Sequence, residues 1–228
     1  MTLPAPVVDR VGSLLVVRDD LIPGGTKRRV VDRLIAGSAE VVYASPAYGY
    51  AQVALAHAGR ATGTRVTIFT AARREWHPRT REAVAAGARV VGVPFGYLSN
   101  VQAKAKAYAA QTGALLLPFG FDTPAFVAAL ADVARSLPVS LAEVWCVAGS
   151  GTMARALQAA WPAARCYAVQ VGKPPNAGRA TVVKAPEPFE RDAAEPPPFP
   201  STSNFDAKAW RFVSRQASPG ALFWNVAR

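Results

Sequence analysis

Short apolar segments rich in β-branched residues alternate with helix-like segments along most of the chain. Glu40 to Ala44 and Glu143 to Val147 have the composition of buried strands, and segments with helical spacing follow both. Such strands, separated by helices, are typical of parallel sheets whose two faces are both covered. The sequence therefore predicts an α/β fold with a mainly parallel sheet flanked by helices.

The pattern also suggests how the chain is divided. We expect residues 1–228 to form a single catalytic unit, with approximately residues 38–113 as an inserted smaller subdomain. Residues 173–205 are rich in proline, so they are predicted to be an irregular wrap or lid. A C-terminal helix and strand are predicted within residues 206–228. Two helix starts are also predicted, with Thr123 and Ser99 as N-caps.

Composition excludes several classes of protein. With 51% hydrophobic and 18% charged residues, the 228-residue chain can bury a large core and is not disordered. Cys146 and Cys166 lie in separate apolar runs and are expected to be reduced core residues. His57 and His77, the only histidines, form no metal-binding pattern. No leader-like segment and no apolar run of about 20 residues is present, so we expect a soluble cytoplasmic protein.

The charge of the chain is strongly positive. Lys and Arg number 26 against 15 Asp and Glu, a net charge of +11, and the cations are spread over the whole length. This balance suits a polyanionic partner, first a nucleic acid and second an acidic metabolite. An Ala- and Arg-rich composition from a GC-rich genome would explain the same charge without any partner.

One lysine lies between a glycine turn and an amphipathic helix. In Ile22-Pro-Gly-Gly-Thr-Lys-Arg-Arg-Val30, Lys27 is expected in the first helical turn. The positive end of the helix dipole, with Arg28 and Arg29 close by, favours a neutral, nucleophilic amine, as a Schiff-base lysine requires. On this stretch alone, a solvated surface lysine is the simpler explanation.

A second glycine turn follows the strand that ends near Val147. Gly149-Ser-Gly-Thr152 joins this strand to a helix N-terminus, where backbone amides and the helix dipole favour an anion. The pattern is typical of a phosphate site, although a tight connection without a ligand has the same composition.

The order of these motifs resembles the fold type II (tryptophan synthase β-like) pyridoxal phosphate (PLP) enzymes, nearest the D-cysteine desulfhydrase and aminocyclopropane-carboxylate (ACC) deaminase branch. Gly24-Gly25-Thr26-Lys27-Arg28-Arg29 is similar to that branch's Gly-Gly-Asn-Lys-x-Arg-Lys stretch. Leu117-Pro-Phe-Gly120 and Val147-Ala-Gly-Ser-Gly-Thr152 resemble its Pro-x-Gly-Gly and Gly-Ser-Gly-Gly-Thr segments. The resemblance covers roughly residues 13–172 and implies a fold type II PLP enzyme, reduced in size.

The resemblance also implies roles for individual residues. Lys27 corresponds to the Schiff-base lysine, which also serves as general base or acid. Ser45 to Tyr48 correspond to the loop that lies against the cofactor ring and the substrate carboxylate. The cofactor phosphate would be bound by the glycine turn, which consists of Gly149, Ser150, Gly151 and Thr152.

Several positions depart from the family pattern. Tyr48, a candidate catalytic and cofactor-binding residue, replaces an asparagine that hydrogen-bonds the cofactor, and Thr26 replaces the asparagine before the lysine. Arg28 and Arg29 are candidates to contact the substrate or a polyanion. The chain is shorter than is usual in the family, and the partner of the pyridine nitrogen cannot be placed. Its candidates are Ser201, Thr202, Ser203 and Asn204.

Three functions are compatible with these features. The first is a PLP-dependent lyase acting on an amino acid group attached to a DNA base, by decarboxylation or elimination. This function resembles that of small virus-encoded members of the superfamily and is suggested here by the charge. The second is a deaminase or desulfhydrase of a free small amino acid. The third is a non-catalytic nucleic-acid-binding protein on a PLP-enzyme fold. The resemblance further implies a homodimer and, for a virus-encoded protein, the host cytoplasm.

Overall fold

The computed structural model describes residues 3–228, which divide into two compact units. Unit 1 comprises Lys27–Phe121, and unit 2 comprises residues 3–26 together with Asp122–Arg228. The predicted subdomain, residues 38–113, falls within the limits of unit 1. The organisation of residues 1–228 as a single catalytic unit stays a prediction.

Strands and helices alternate as the sequence predicts, which confirms the α/β class. The strands are β1 (Val8–Val11), β2 (Leu14–Arg18), β3 (Glu40–Ala44), β4 (Arg65–Ala71), β5 (Arg89–Val93), β6 (Leu115–Leu117), β7 (Glu143–Ala148), β8 (Arg165–Gln170), β9 (Thr181–Lys184) and β10 (Leu222–Asn225). The helices are α1 (Arg28–Ile35), α2 (Ala51–Thr62), α3 (Pro78–Ala85), α4 (Leu98–Thr112), α5 (Pro124–Arg135), α6 (Thr152–Ala160) and α7 (Trp210–Gln216). None of the helices described combines the length and apolarity that a membrane span requires.

Unit 1 is built on a four-stranded parallel sheet with the strand order β5-β4-β3-β6. All five residues of β3 are buried, as expected for a central strand covered on both faces. Val42 and Ala44 pack with residues of α4, so by alternation Val41 and Tyr43 face the other side of the sheet. Because every strand is parallel, the loops that follow them gather at one edge, where open α/β sheets bind ligands.

Unit 2 is built on a six-stranded sheet with the order β1-β2-β10-β7-β8-β9. Only β1 is antiparallel to its neighbour among the strands described. Alternate residues of β7 belong to two different core clusters, one that includes residues of α5 and α6 and one that includes residues of α7. The last strand, β10, therefore lies between β2 and β7 and joins the two ends of the chain.

The structure corrects several boundaries. It adds β1, a polar edge strand, and β9, an edge strand inside the proline-rich segment. The helix predicted to begin at Ser99 begins at Leu98 and has no side-chain cap, whereas Thr123 caps α5 by accepting a hydrogen bond from the Phe126 amide. The C-terminal helix is divided into a 3-10 turn, Asp206–Ala209, followed by α7.

Candidate active site

A buried polar network in unit 2 fixes the turn that leads to the lysine. The Thr26 hydroxyl donates to Asp19 Oδ2 (2.7 Å), and Trp224 Nε1 donates to both Asp19 Oδ2 (3.1 Å) and Thr26 Oγ1 (3.0 Å). The Thr26 amide donates to the Val226 carbonyl (2.9 Å). A side chain on Gly25 would lie 2.2 Å from that carbonyl oxygen, so glycine is required there. Thr26 is thus held by groups from the C-terminal end of the chain.

Lys27, the first residue of unit 1, is the N-cap residue of α1. Its amine is half-buried and donates to the Gly120 carbonyl oxygen (3.2 Å), and it lies 5.4 Å from the centre of the Phe121 ring. The side chain therefore points at a specific turn and not into bulk water. The sequence placed Lys27 one residue deeper in the helix.

The turn that receives this amine is held from below by Tyr43. The Gly120 amide donates to the Tyr43 hydroxyl (3.3 Å), and the Tyr43 ring packs edge-on against Phe121 with centroids 5.1 Å apart. Gly120 and Phe121 both have positive φ, 74° and 59°. Burial raises the pKa of Tyr43 to about 12, although the bond from Gly120 opposes the shift. Tyr43 is consequently a neutral group at ordinary pH.

The loop after β3 carries Ser45 and Tyr48. Ser45 is buried and its hydroxyl donates to the Pro46 carbonyl (2.9 Å). A buried amide on α2, Gln52 Nε2, donates to the carbonyls of Ala47 (3.0 Å) and Gly49 (3.1 Å) and fixes the loop from below. The Tyr48 ring is partly exposed and lies 4.4 Å from the ring of His77.

The two arginines assigned to a polyanion occupy different environments. Arg28 is 9% exposed, and its guanidinium forms a double hydrogen bond with Asp32 one turn later, at 3.1 and 2.6 Å. Arg29 is half-buried. A role for either residue in binding a polyanion remains a prediction, and Arg28 already contributes its charge to an internal ion pair.

In unit 2, the glycine turn leads directly into α6. Gly151 has φ 92° and a side chain there would lie 2.0 Å from the Asn176 carbonyl oxygen. The Ser150 and Thr152 hydroxyls are 2.8 Å apart, and Thr152 is buried. α6 has no side-chain cap, so its N-terminal end carries amides of the kind that bind anions.

The four candidates for the pyridine nitrogen differ in how their side chains are used. Ser201 donates to Asn225 Oδ1 (2.8 Å), Ser203 to Asp192 Oδ1 (2.6 Å) and Asn204 to the Phe189 carbonyl (3.1 Å). Thr202 is 2% exposed, and in the structure of residues 3–228 its hydroxyl has no hydrogen-bond partner. A buried hydroxyl of this kind is costly unless a partner completes it.

Sequence reasoning missed the residues that support the site. Asp19, Trp224, Tyr43 and Gln52 act through contacts that are distant in the sequence or through burial, which no local pattern shows. The pair Asp19 and Asp20, placed at the end of a strand, was the one available signal, because two buried acids there need specific partners.

These features define an α/β protein with a lysine at a helix start, a glycine turn at another helix start and a buried hydroxyl that lacks a partner within residues 3–228. The family model described as "Pyridoxal-phosphate dependent enzyme" matches residues 8–214. The chain therefore belongs to this family, which depends on PLP, and its fold is that of fold type II.

Solved structures agree with this assignment at the level of the fold. An ACC deaminase homologue matches with TM-score 0.84 and 13% identity, over 99% of this chain and 90% of its own. A threonine deaminase whose organism is given as "T.th." matches with TM-score 0.69 and 15% identity, over 98% and 91%. Escherichia coli diaminopropionate ammonia lyase matches with TM-score 0.64 and 15% identity, over 94% and 77%. A search of curated proteins finds no match.

Proposed function

We propose that the chain is a PLP-dependent lyase that acts at the α-carbon of an amino acid group, with Lys27 as its catalytic residue. The observation that carries the proposal is the placement of the Lys27 amine, half-buried at the start of α1 and 3.2 Å from the Gly120 carbonyl oxygen. When bound, PLP supplies an electron sink that stabilises a carbanion at the α-carbon. Lys27 would be the attachment point of PLP and would then hold and move the proton at that carbon.

The residues present fit the cofactor. The uncapped N-terminus of α6 and the hydroxyls of Ser150 and Thr152 offer donors for a phosphate, and Gly149 and Gly151 leave the backbone accessible. The Thr202 hydroxyl, buried and without a partner in the described part of the chain, is our candidate for the ring nitrogen. Both features suit a ligand of the kind that the family uses.

Ser45 and Tyr48 would orient the substrate. The Ser45 loop is fixed by the buried Gln52 amide, so its groups are preorganised. Tyr48 replaces the asparagine expected at this position, and its phenol would supply the hydrogen bond that the asparagine makes in the family.

The first test is spectroscopic. The purified protein is expected to show a PLP absorption band near the visible edge, and borohydride reduction followed by peptide mapping should label Lys27. The Lys27→Ala variant should lose the band, whereas Lys104→Ala, an exposed lysine of α4, should keep it. A wild-type protein that never acquires the band would leave only the non-catalytic alternative.

A second pair of variants tests Thr202. Thr202→Val should shift the absorption band and release PLP more readily in dialysis, because the ring nitrogen loses its partner. Thr202→Ser keeps a hydroxyl and should restore both properties. Identical spectra and retention in all three proteins would exclude Thr202 from the cofactor site.

For the substrate, we favour an amino acid group attached to a DNA base. The charge supports this choice, since a net charge of +11 suits a polyanionic substrate. The expected reactions are decarboxylation, seen as loss of carbon dioxide, or elimination at the same carbon. They would be measured by mass spectrometry on an oligonucleotide that carries an aminoacyl thymine.

A free small amino acid is the second candidate. The similarity of the fold to an ACC deaminase homologue and a threonine deaminase favours it. Release of ammonia and a keto acid from a free amino acid, with the modified oligonucleotide unchanged, would support this candidate and exclude the first.

The assembly and location follow the family resemblance. We propose a homodimer in the cytoplasm, which is the host cytoplasm if the protein is virus-encoded. Light scattering of the purified holoprotein measures the assembly, and a monomer at all concentrations would contradict it.

A further inference from the structure

We propose that a surface of unit 1 binds single-stranded DNA, with phosphates on arginines and bases stacked on exposed aromatic rings. This aromatic–arginine surface consists of residues 48–50, 72–81 and 94–97, in the loops after β3, β4 and β5 and the start of α3. The inference deepens the proposed function, since its biological role rests on a substrate carried by DNA. The binding itself is measurable without any turnover.

The positive charge is concentrated in unit 1. Residues 27–121 contain thirteen Lys and Arg but four Asp and Glu, a net charge of +9. The other 133 residues contain thirteen Lys and Arg and eleven Asp and Glu, a net charge of +2. A genome-wide compositional bias would affect both parts alike, so the asymmetry favours a polyanion partner for unit 1.

Hydrogen bonds and close packing bring the three loops together. Ala71 pairs with Val93 at the ends of β4 and β5, and the Ala72 amide donates to the Val93 carbonyl (2.9 Å). A side chain on Gly96 would lie 2.3 Å from the Ala71 Cβ, so the last loop folds closely over its neighbour. The Tyr48 ring lies 4.4 Å from His77, which connects the first loop to the second.

The second loop supplies the cations. Arg73, Arg74 and Arg81 are exposed, and the Arg73 guanidinium lies 5.5 Å from the centre of the Tyr48 ring. Arg81 is positioned by a hydrogen bond to the Trp76 carbonyl (2.7 Å). The loop also holds one exposed carboxylate, Glu75, so three guanidinium groups outnumber it.

A histidine at the same place reports the local potential. Burial and the charges of Arg73, Arg79 and Arg81 lower the pKa of His77. Its Nδ1 accepts the Arg79 amide (3.2 Å) at the start of α3, so it is used as a neutral cap. The cationic character of the loop therefore does not depend on histidine protonation.

The third loop supplies the aromatic rings. Phe95 is 91% exposed and Tyr97 is 79% exposed, although aromatic side chains are normally among the most buried. Phe95 also has φ 51°, a conformation that glycine or asparagine adopts more easily. A bulky residue that is both strained and solvated gains nothing for the fold, which points to a binding role.

Arginines beside exposed rings match the chemistry of a single strand. Unpaired bases stack on aromatic side chains, whereas the bases of a duplex have no free faces. An edge of three loops at one end of the sheet, next to the loop that carries Tyr48, would also hold a strand whose modified base approaches that loop.

The test uses the full chain and fluorescence anisotropy with a labelled oligothymidylate of about 12 nucleotides. Wild-type affinity should fall steeply as salt rises from about 50 to 200 mM. The Phe95→Ala/Tyr97→Ala variant should bind at least about fivefold more weakly with an unchanged salt slope, because it loses stacking and no charge. The Arg73→Ala/Arg74→Ala variant should bind more weakly with a salt slope lower by about 1.4.

Matched controls separate this surface from general charge. Lys173→Ala/Arg191→Ala removes two exposed cations of unit 2 and should leave the affinity nearly unchanged. Phe95→Gly should raise the midpoint of thermal unfolding while it weakens binding, since it relieves the positive φ and removes the ring. Stability and binding then move in opposite directions, which loss of folding cannot produce.

Several outcomes would overturn the proposal. These are no binding at low salt, equal losses for the unit 2 control, aromatic variants that bind like wild type, or a duplex that binds more tightly than the single strand. The cofactor absorption band, recorded for every variant, distinguishes this failure from failure of the proposed function. A protein that keeps the band but ignores DNA would leave the enzyme intact and remove only the surface.

Discussion

Tyr43 contributes both a hydrogen bond and a ring to the turn that holds the Lys27 amine. Its hydroxyl accepts the Gly120 amide, and the Gly120 carbonyl in turn accepts the Lys27 amine. Both polar groups of Gly120 are therefore occupied, by a buried phenol and by the amine. The placement of the amine depends on the protonation state of a side chain that no local motif identified.

This dependence gives a pH prediction. The pKa of Tyr43 is about 12 in the folded protein against 10.0 in the unfolded chain, so the neutral phenol stabilises the fold below pH 10. That stabilisation, about 3 kcal/mol, is lost as pH rises through 12. Tyr43→Phe should be less stable than wild type at pH 8, and the two free energies of unfolding should converge between pH 10 and 12.

Urea unfolding across this range measures the effect. Tyr97→Phe is the matched control, because Tyr97 is 79% exposed and makes no comparable contribution. A constant difference between wild type and Tyr43→Phe at every pH would contradict the buried neutral phenol.

At the scale of elements, two glycines of one turn have different physical reasons. Gly151 combines φ 92° with the Asn176 carbonyl oxygen 2.0 Å from the position of a side chain. At Gly149 the nearest atom to such a side chain is a ring carbon of Phe205 at 3.4 Å, an ordinary contact. Gly151 is thus required by the fold, whereas Gly149 leaves the backbone open to a ligand.

The matched substitutions should separate these reasons. Gly151→Ala is expected to cost about 3 kcal/mol or more, through strain and overpacking. Gly149→Ala should cost less than about 1 kcal/mol. The measurement is the midpoint of urea unfolding without added cofactor, and equal losses would show that the turn has rearranged.

Elements with strong local signals were predictable from the sequence, and edge elements were not. Buried strands such as β3 and β7 are almost wholly apolar, and Thr123-Pro124 marks the start of α5. By contrast, β1 includes Asp9 and Arg10, and β9 lies in a proline-rich segment, so their pairing shows only in the sheet. The same reason hid Asp19 and Trp224, which meet across more than 200 positions.

At the scale of the whole molecule, the strand order links the two ends of the chain. β2 and β7 have no direct pairing, and β10 bridges them. The same strand supplies Trp224 and Asn225, which hydrogen-bond Asp19 and Asp20 at 3.1 and 2.8 Å. The lysine turn therefore depends on residues at the far end of the sequence.

Truncation tests this dependence. A chain ending at Gly220 lacks β10 and should show no cooperative thermal unfolding, because the β1–β2 pair loses its connection to the sheet and buried acids lose their partners. Removal of Arg228 alone should preserve a cooperative transition followed by circular dichroism. A truncated chain that unfolds as sharply as the full one would show that β10 is dispensable.

The central place of the last strand has a consequence for synthesis. While the chain emerges from the ribosome, strands β7 to β9 and the first hairpin are both available, yet the segment that must pass between them is the last to appear. Nascent chains therefore present two unpaired strand edges until translation ends. Such chains would require protection from aggregation, and maturation of the lysine turn would be a post-translational event.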